Sequence, residues 1–248
     1  MSKVMVVTGA GRGIGAAIAE LAGERGYAVC VNYAHSRQAA EAVAARINAA
    51  GGKAVAIQAD VARDEEAKRL FAEVDAKLGR VAALVNNAGI IGRQCRVDEI
   101  DEALLRQVFE VNTFGYFYCT REALRRMSKK HGGTGGAIVN ISSAAARHGG
   151  LPLEAHYAAS KGAVDSMTIG LAKEVGTEGV RVNAIRPGLI VTDIHQAHGG
   201  QATVEKVAPT VPIGREGYPR EIAEAALWLC SEAASYVHGA VIDVSGGR

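Results

Sequence analysis

TGAGRGIG, residues 8–15, separates the apolar run VMVV from the helical pattern IGAAIAELAGER. MVV at 5–7 reads as a buried strand, so the glycines fall on a strand-to-helix turn. Gly9, Gly13 and Gly15 are spaced GxxxGxG, with Gly11 between them. Arg12 and Ile14 sit inside the same loop. Glycine lets a backbone turn sharply, lets a ligand approach the main chain and lets a helix pack closely on a strand. Free N–H groups at the start of the helix then face whatever lies over the turn, which suits an anion. A plain turn needs no such density of glycine.

Outward from the loop, strand and helix patterns alternate along the chain. AVCV at 28–31 is a second strand, followed by an Ala-rich helix over 36–49 that ends at Gly51-Gly52. KAVAIQAD is a third strand, and DEEAKRLFAEVDAKLG an amphipathic helix stopped at Gly79. AALVNNAG, GAIVNISS and RVNAIRPG give strands four, five and six, and AVIDV the last. The segment 101–130 has helical periodicity with Gly115 inside it, and 219–231 is a helix opened by Pro219. Strands written as continuous apolar runs, alternating with helices, predict an α/β fold: a doubly wound parallel sheet covered on both faces. One domain over 1–248 is expected, with the irregular, glycine-dotted stretch 189–218 as a substrate lid.

Composition narrows the function classes. The chain has 248 residues, 48% of them apolar and 22% charged, and a net charge of +2. That gives no basic field for nucleic acid and no basic run for a membrane surface. The four cysteines, Cys30, Cys95, Cys119 and Cys230, are widely spaced and form no CxxC pair. They fit a reducing compartment better than a disulfide frame or a zinc site. No secretory leader and no membrane-spanning run is visible, so a cytoplasmic protein is expected.

The glycine loop is best explained by a dinucleotide. An acidic residue at the end of strand two would bind the ribose 2′-hydroxyl of NAD and repel a 2′-phosphate. The stretch VNYAHSR, residues 31–37, has no carboxylate before Glu41. Arg12 and Arg37, with the side chains of Asn32 and Ser36, can reach a 2′-phosphate. NADP(H) is therefore expected over NAD(H).

HYAASK, residues 156–161, puts a phenol and an ammonium four residues apart on a helix, about 6 Å along its axis and on one face. A nearby cation stabilises phenolate and lowers a tyrosine pKa toward neutral, where the phenol can exchange a proton with an alcohol. Tyr157 is the expected general acid/base and Lys161 the residue that lowers its pKa. Ser143 ends strand five, the edge where parallel α/β sheets place ligands. Ser142, one position back on an alternating strand, should point the other way. Asn112 stands among apolar neighbours in FEVNTFGYFY, where a mediocre helix former asks for a reason.

Taken together, TGAGRGIG at 8–15, NNAG at 86–89, Asn112, ISS at 141–143, YAASK at 157–161 and RPG at 186–188 resemble the short-chain dehydrogenases/reductases over essentially the whole chain. The resemblance implies a Rossmann-like three-layer sandwich with a seven-stranded parallel sheet, assembled as a homotetramer or homodimer. It implies hydride transfer between a nicotinamide and a carbonyl or carbinol carbon. It makes Ser143 the donor that polarises the substrate oxygen, and Asn112 the holder of a water that links Lys161 to solvent. A structural alternative for Asn112 is an amide that bonds backbone to fix a kink. Lys161 is expected also to hold the nicotinamide ribose hydroxyls. Asn86, Ala88 and Gly89 then border the ribose and nicotinamide, Asp60 and Val61 the adenine, Pro187 and Gly188 the turn after strand six, and Ile190 and Thr192 the carboxamide. Tyr33 lies with Asn32 on the cofactor side. Ser143 stands fourteen residues before Tyr157, one more than in many members, which reads as an insertion in ARHGGLPLEAH.

The substrate side draws on Arg93, Gln94, Arg147, His148, Leu153, Glu154, His156, His195 and His198. Such polar groups suit a hydroxylated or sugar-like substrate, or a solvated rim. The wording of the chain resembles bacterial glucose/ribitol-dehydrogenase-like members and 3-oxoacyl carrier-protein reductases. For the latter, Arg125, Arg126, Lys129 and Lys130 offer a patch for an acidic carrier, while Glu178 stands where a basic residue is expected. A nucleotide sensor without catalysis would have lost Tyr157 or Lys161. Two histidines beside Asp193 on a loop make a poor metal site.

Overall fold

The computed structural model describes residues 2–192 and 208–248. Seven strands form one sheet: β1 Val4–Val7, β2 Ala28–Tyr33, β3 Lys53–Gln58, β4 Val81–Asn86, β5 Gly136–Ile141, β6 Val180–Pro187 and β7 Val241–Val244. Their order is β3-β2-β1-β4-β5-β6-β7, and every pairing is parallel. Strands β1, β2 and β4 are almost wholly buried, as their unbroken apolar runs require.

Helices cover both faces. On one side α1 (Gly13–Glu24), α2 (Arg37–Ala49) and α8 (Pro219–Cys230) pack Ile18, Val43 and Ile222 onto Met5, Val29 and Ile185. On the other, α3 (Asp64–Lys77), α5 (Gly115–Met127) and α7 (Ala155–Val175) bury Phe71, Met127 and Val175 against Val6, Leu84 and Ile138. Each such side chain stabilises the fold by roughly 1.5–3 kcal/mol. The strand order reverses between β1 and β4, and in sheets of this kind a crevice opens there at the carboxyl ends of the strands. Among the described residues no helix is long and apolar enough to cross a membrane.

The segment expected to be one helix over 101–130 is divided. It comprises α4 (Glu102–Phe109), a π-helical turn at Glu110–Phe114, and α5. The wider turn brings Asn112 inward, fully buried, where its amide bonds two other parts of the chain. Gly115 follows because a Cβ there would lie 2.9 Å from the Val61 carbonyl oxygen.

Candidate active site

The glycine loop is shaped by what lies directly above each Cα. Gly9 and Gly13 have φ of +61° and +53°. A Cβ on Gly9 would stand 2.9 Å from Ala88 Cα, and one on Gly15 would stand 2.5 Å from both the Gly9 carbonyl oxygen and the Asn87 amide nitrogen. The loop is lashed to the end of β4: the Asn87 and Ala88 N–H groups donate to Thr8 Oγ1 at 2.9 and 3.0 Å, and Asn87 Nδ2 donates to the Thr8 and Gly9 carbonyls at 2.9 and 3.1 Å. The result is a bare backbone cradle at the start of α1.

That cradle is one wall of a cleft of about 600 Å³. Gly9, Gly11, Arg12, Gly13, Ile14, Gly15, Tyr33, Ser36, Asp60, Val61, Ala88, Gly89, Pro187, Gly188, Ile190 and Thr192, all expected on the cofactor side, line it. So do Ser143, Tyr157 and Lys161. A nucleotide-sized cleft and the Tyr157 phenol therefore share one space.

Two cofactor expectations change. Asn86 was expected to border the ribose, but its side chain is turned into the core. Its amide donates to Asn140 Oδ1 at 2.9 Å and to Thr120 Oγ1 at 3.1 Å. The neighbouring Asn87 takes the position facing the cleft. Asn32 does line the cleft, but its amide is spent: Nδ2 donates to the Ile57 and Ala59 carbonyls at 3.3 and 3.0 Å, and Oδ1 accepts from the Gly9 N–H at 3.3 Å. It braces the glycine loop and is not free for a phosphate. Arg37, also expected at the phosphate, is exposed, pairs with Glu41 at 3.4 Å and does not line the cleft, whereas the exposed Arg12 and Ser36 do.

At the other end of the cleft, Ser143 and Tyr157 both line the space, and the Ser143 hydroxyl favours the phenolate, while Ser142 donates to the Lys161 carbonyl at 3.2 Å. Lys161 is buried; its ammonium donates to the Ile141 carbonyl at 2.9 Å and to Tyr116 Oη at 3.2 Å. Tyr116 in turn donates to the same carbonyl at 3.0 Å, so the lysine is held in a closed triangle. Burial pushes the Lys161 pKa down to about 7, against a smaller opposing pull from Asp165. Lys161 is not among the groups that shift the Tyr157 pKa. Burial raises that pKa, the Ser143 hydroxyl lowers it, and the charge of Glu154 raises it again. The ammonium faces Tyr116 instead.

Asn112 takes the structural option. Its Oδ1 accepts from the Ile90 N–H and its Nδ2 donates to the Ile90 carbonyl, both at 2.8 Å, with a further bond to Ser160 Oγ at 2.9 Å. Ser160 Oγ donates to the Tyr157 carbonyl at 2.7 Å, which ties the loop after β4 to the catalytic turn of α7. Both amide hydrogens are used, leaving one Oδ1 lone pair for the expected water. A Cβ on Gly89 would come within 3.4 Å of both Asn112 Oδ1 and Lys161 Nζ, so the two groups converge over this glycine.

Of the substrate-side residues, His148 and Glu154 line the cleft. Arg93 bonds Asp101, Arg147 pairs with Asp243 at 3.2 Å, and His156 is buried against the Ile91 carbonyl. His195, His198 and Asp193, with positions 193–207 of the expected lid, lie outside the described residues. The reading from sequence missed Thr8, Asn87 and Tyr116. The doubled asparagine of NNAG marked Asn87; nothing local marked Tyr116.

A family profile described as enoyl-(acyl carrier protein) reductase matches residues 9–248. An uncharacterized oxidoreductase of Escherichia coli, YgfF, is 45% identical, with 99% of each chain covered. The 3-oxoacyl-[acyl-carrier-protein] reductase FabG of Staphylococcus aureus is 39% identical over 100% of this chain and 98% of its own. A short-chain dehydrogenase/reductase variant from Serratia marcescens superposes with a TM-score of 0.90 at 33% identity, covering 99% of this chain and 97% of that one. With the seven-stranded parallel sheet and the cleft at its switch point, these likenesses identify the chain as an oxidoreductase of the short-chain dehydrogenase/reductase family, whose members bind NAD(P)H.

Proposed function

We propose that this chain is an NADP(H)-dependent oxidoreductase acting on a carbonyl and its secondary alcohol. The observation that carries the reading is the continuity of the cleft: the glycine cradle and the Ser143–Tyr157 pair line the same 600 Å³ space. The cradle fits a pyrophosphate because Gly9 and Gly15 let the loop pack against Ala88 and Asn87 and leave the backbone at the start of α1 facing the cleft. When bound, the nicotinamide supplies or accepts the hydride. Tyr157 gives its proton to the carbonyl oxygen in reduction and takes it back in oxidation. Ser143 donates to the same oxygen as charge grows on it. Lys161, fixed by Tyr116 and the Ile141 carbonyl, is the donor for the ribose hydroxyls. Asn112 sets the positions of Ile90 and Ser160 and offers its remaining lone pair to a water of the proton path.

Preference for NADP(H) rests on the exposed Arg12 and Ser36 at the cleft rim, with no carboxylate closing the end of β2. NAD(H) is the alternative. Assembly as a homodimer or homotetramer through 101–130, 155–176 and the C-terminal AVIDVSGGR belongs to the same proposal. Its support is the exposure of Phe114, Phe117 and Ile169 on those segments, each between 44% and 51%.

A second reading, reduction of an acyl-carrier-bound 3-oxoacyl thioester, is favoured by the likeness to FabG. The basic patch proposed for the carrier is largely neutralised, however. Arg125 bonds Glu122 at 2.9 Å and Arg126 bonds Asp75 at 2.8 Å, leaving Lys129 and Lys130. A panel of aldehydes, diketones, sugars and acyl thioesters, followed by NADPH absorbance, tests both. Turnover of small carbonyls is the expected result; turnover confined to thioesters would favour the second reading, and NADPH binding without oxidation by any class would contradict both.

A further inference from the structure

The insertion before α7 builds a second polar feature in the cleft. Leu153 has φ +72° and is the one non-glycine residue with a left-handed backbone among the described residues. Such a conformation costs roughly 1–3 kcal/mol and persists only where its surroundings impose it. The imposing contacts come from two consecutive residues after β4. The Cys95 N–H donates to the Leu153 carbonyl at 3.2 Å, and the Gln94 amide donates to Glu154 Oε1 at 2.8 Å. The Leu151 N–H holds Oε2 at 3.2 Å. The strained turn thus delivers one side chain, Glu154, to the wall of the cleft beside His148, Leu151 and Tyr157.

Glu154 is only 5% exposed, and among the described residues it has no ion-pair partner. Burying a carboxylate without a cation is costly unless hydrogen bonds compensate it. Each of its oxygens accepts one protein bond, and each has capacity for about one more. Its charge reaches the phenol, since it is one of the causes that raise the Tyr157 pKa. Glu154 caps α7 three residues before Tyr157. Glu154 and Tyr157 line the same cleft, so a substrate oxygen held at Tyr157 can carry a donor on a neighbouring carbon toward Glu154.

We propose that Glu154 is a specificity-determining acceptor, and that the substrate carries a hydroxyl group one or two carbons from its reacting carbonyl. A carboxylate at that position meets the charge of Glu154, and an ammonium meets Lys161 in the same cleft. A neutral hydroxyl satisfies both. The inference deepens the oxidoreductase reading above and rests on it.

The test uses matched pairs, hydroxyacetone against acetone and glycolaldehyde against acetaldehyde, with NADPH and the full-length protein. The wild type favours the hydroxylated member in kcat/KM by at least about tenfold, because a buried acceptor left unpaired by the deoxy analogue is penalised. Glu154→Leu brings that ratio to near one, and Glu154→Gln, which keeps shape and one acceptor oxygen, falls between. Equal use of both members by the wild type, or a ratio unchanged in both variants, overturns the proposal. Binding is read separately, without turnover, by quenching of NADPH fluorescence in Tyr157→Phe. Hydroxyacetone should bind at least about tenfold more tightly than acetone there, and adding Glu154→Leu should erase the difference. Equal binding of the two ligands in Tyr157→Phe overturns the role of Glu154. Selective binding with no oxidation of NADPH by the wild type contradicts only the hydride-transfer reading.

Discussion

The two ends of the cleft are made of different material. At the glycine-loop end the wall is backbone, and the fit depends on hydrogens where other residues carry a Cβ, as at Gly9 and Gly15. At the other end the wall is side chains from three separate segments, with Ile91 after β4, His148 and Glu154 after β5, and Ile190 after β6. A backbone cradle fails outright when a methyl group is added. A side-chain wall responds by degrees, because each group can be shortened or exchanged without moving the rest. Substitutions should therefore give all-or-none losses at the first end and graded changes of preference at the second.

Gly15→Ala tests the first half of that contrast and carries the largest expected effect here. Its Cβ has two atoms at 2.5 Å, one of them backbone. Stability should fall by about 1–3 kcal/mol and NADPH affinity by about a hundredfold, read by denaturant melting and fluorescence titration. Affinity within about twofold of wild type would show that the cradle is not where the nucleotide sits.

Lys161→Met probes the boundary between the two ends through pH. The Lys161 pKa lies at about 7 in the folded protein against 10.5 for the free side chain. Between these values the unfolded chain binds the extra proton, so the wild type gains stability as pH rises; below about 7 the full cost of burying the ammonium is present. The methionine variant lacks that slope. Relative to wild type it should be stabler by a few kcal/mol at about pH 6 and lose the advantage by about pH 10. Denaturation at both pH values measures this, and a pH-independent difference would contradict the burial of the ammonium.

Smaller effects sharpen the comparison further. Arg12→Glu should lower kcat/KM for NADPH relative to NADH by about tenfold while leaving thermal stability unchanged, since the side chain is exposed. An unchanged cofactor ratio would remove Arg12 from the phosphate site. Tyr116→Phe keeps the ring and deletes one acceptor of the Lys161 ammonium. It should move the basic or acidic limb of the kcat pH profile and change the rate by only severalfold; a profile superimposable on wild type would make Tyr116 a packing residue alone.

The backbone end was also the legible one. GxxxGxG after an apolar run specifies a conformation that few side chains tolerate, so residue types alone locate it. The strands were legible for a related reason: burial on both faces leaves only apolar runs. The same burial hid the fate of Asn86. In a strand with no solvent face, period-two alternation cannot say which of two adjacent asparagines meets the cleft. Asn32 misled because its type suits a phosphate, whereas its three bonds are to carbonyls and an N–H far away in sequence. The π turn at 110–114 and the triangle around Lys161 were not legible at all. Each is created by partners from other elements, Ile90 and Ser160 for one and Tyr116 for the other. Ser142 and Ser143 both line the cleft, and of the two Ser142 spends its hydroxyl on the Lys161 carbonyl of α7.

The claim beneath all of this is that Tyr157 moves the proton in a cleft that also holds the nucleotide. Tyr157→Phe, assayed for NADPH affinity and for carbonyl reduction in the same preparation, tests it most directly. Affinity should stay within about twofold of wild type while kcat falls by about 10²–10⁴-fold. A phenylalanine variant that binds NADPH and turns over near the wild-type rate would contradict it.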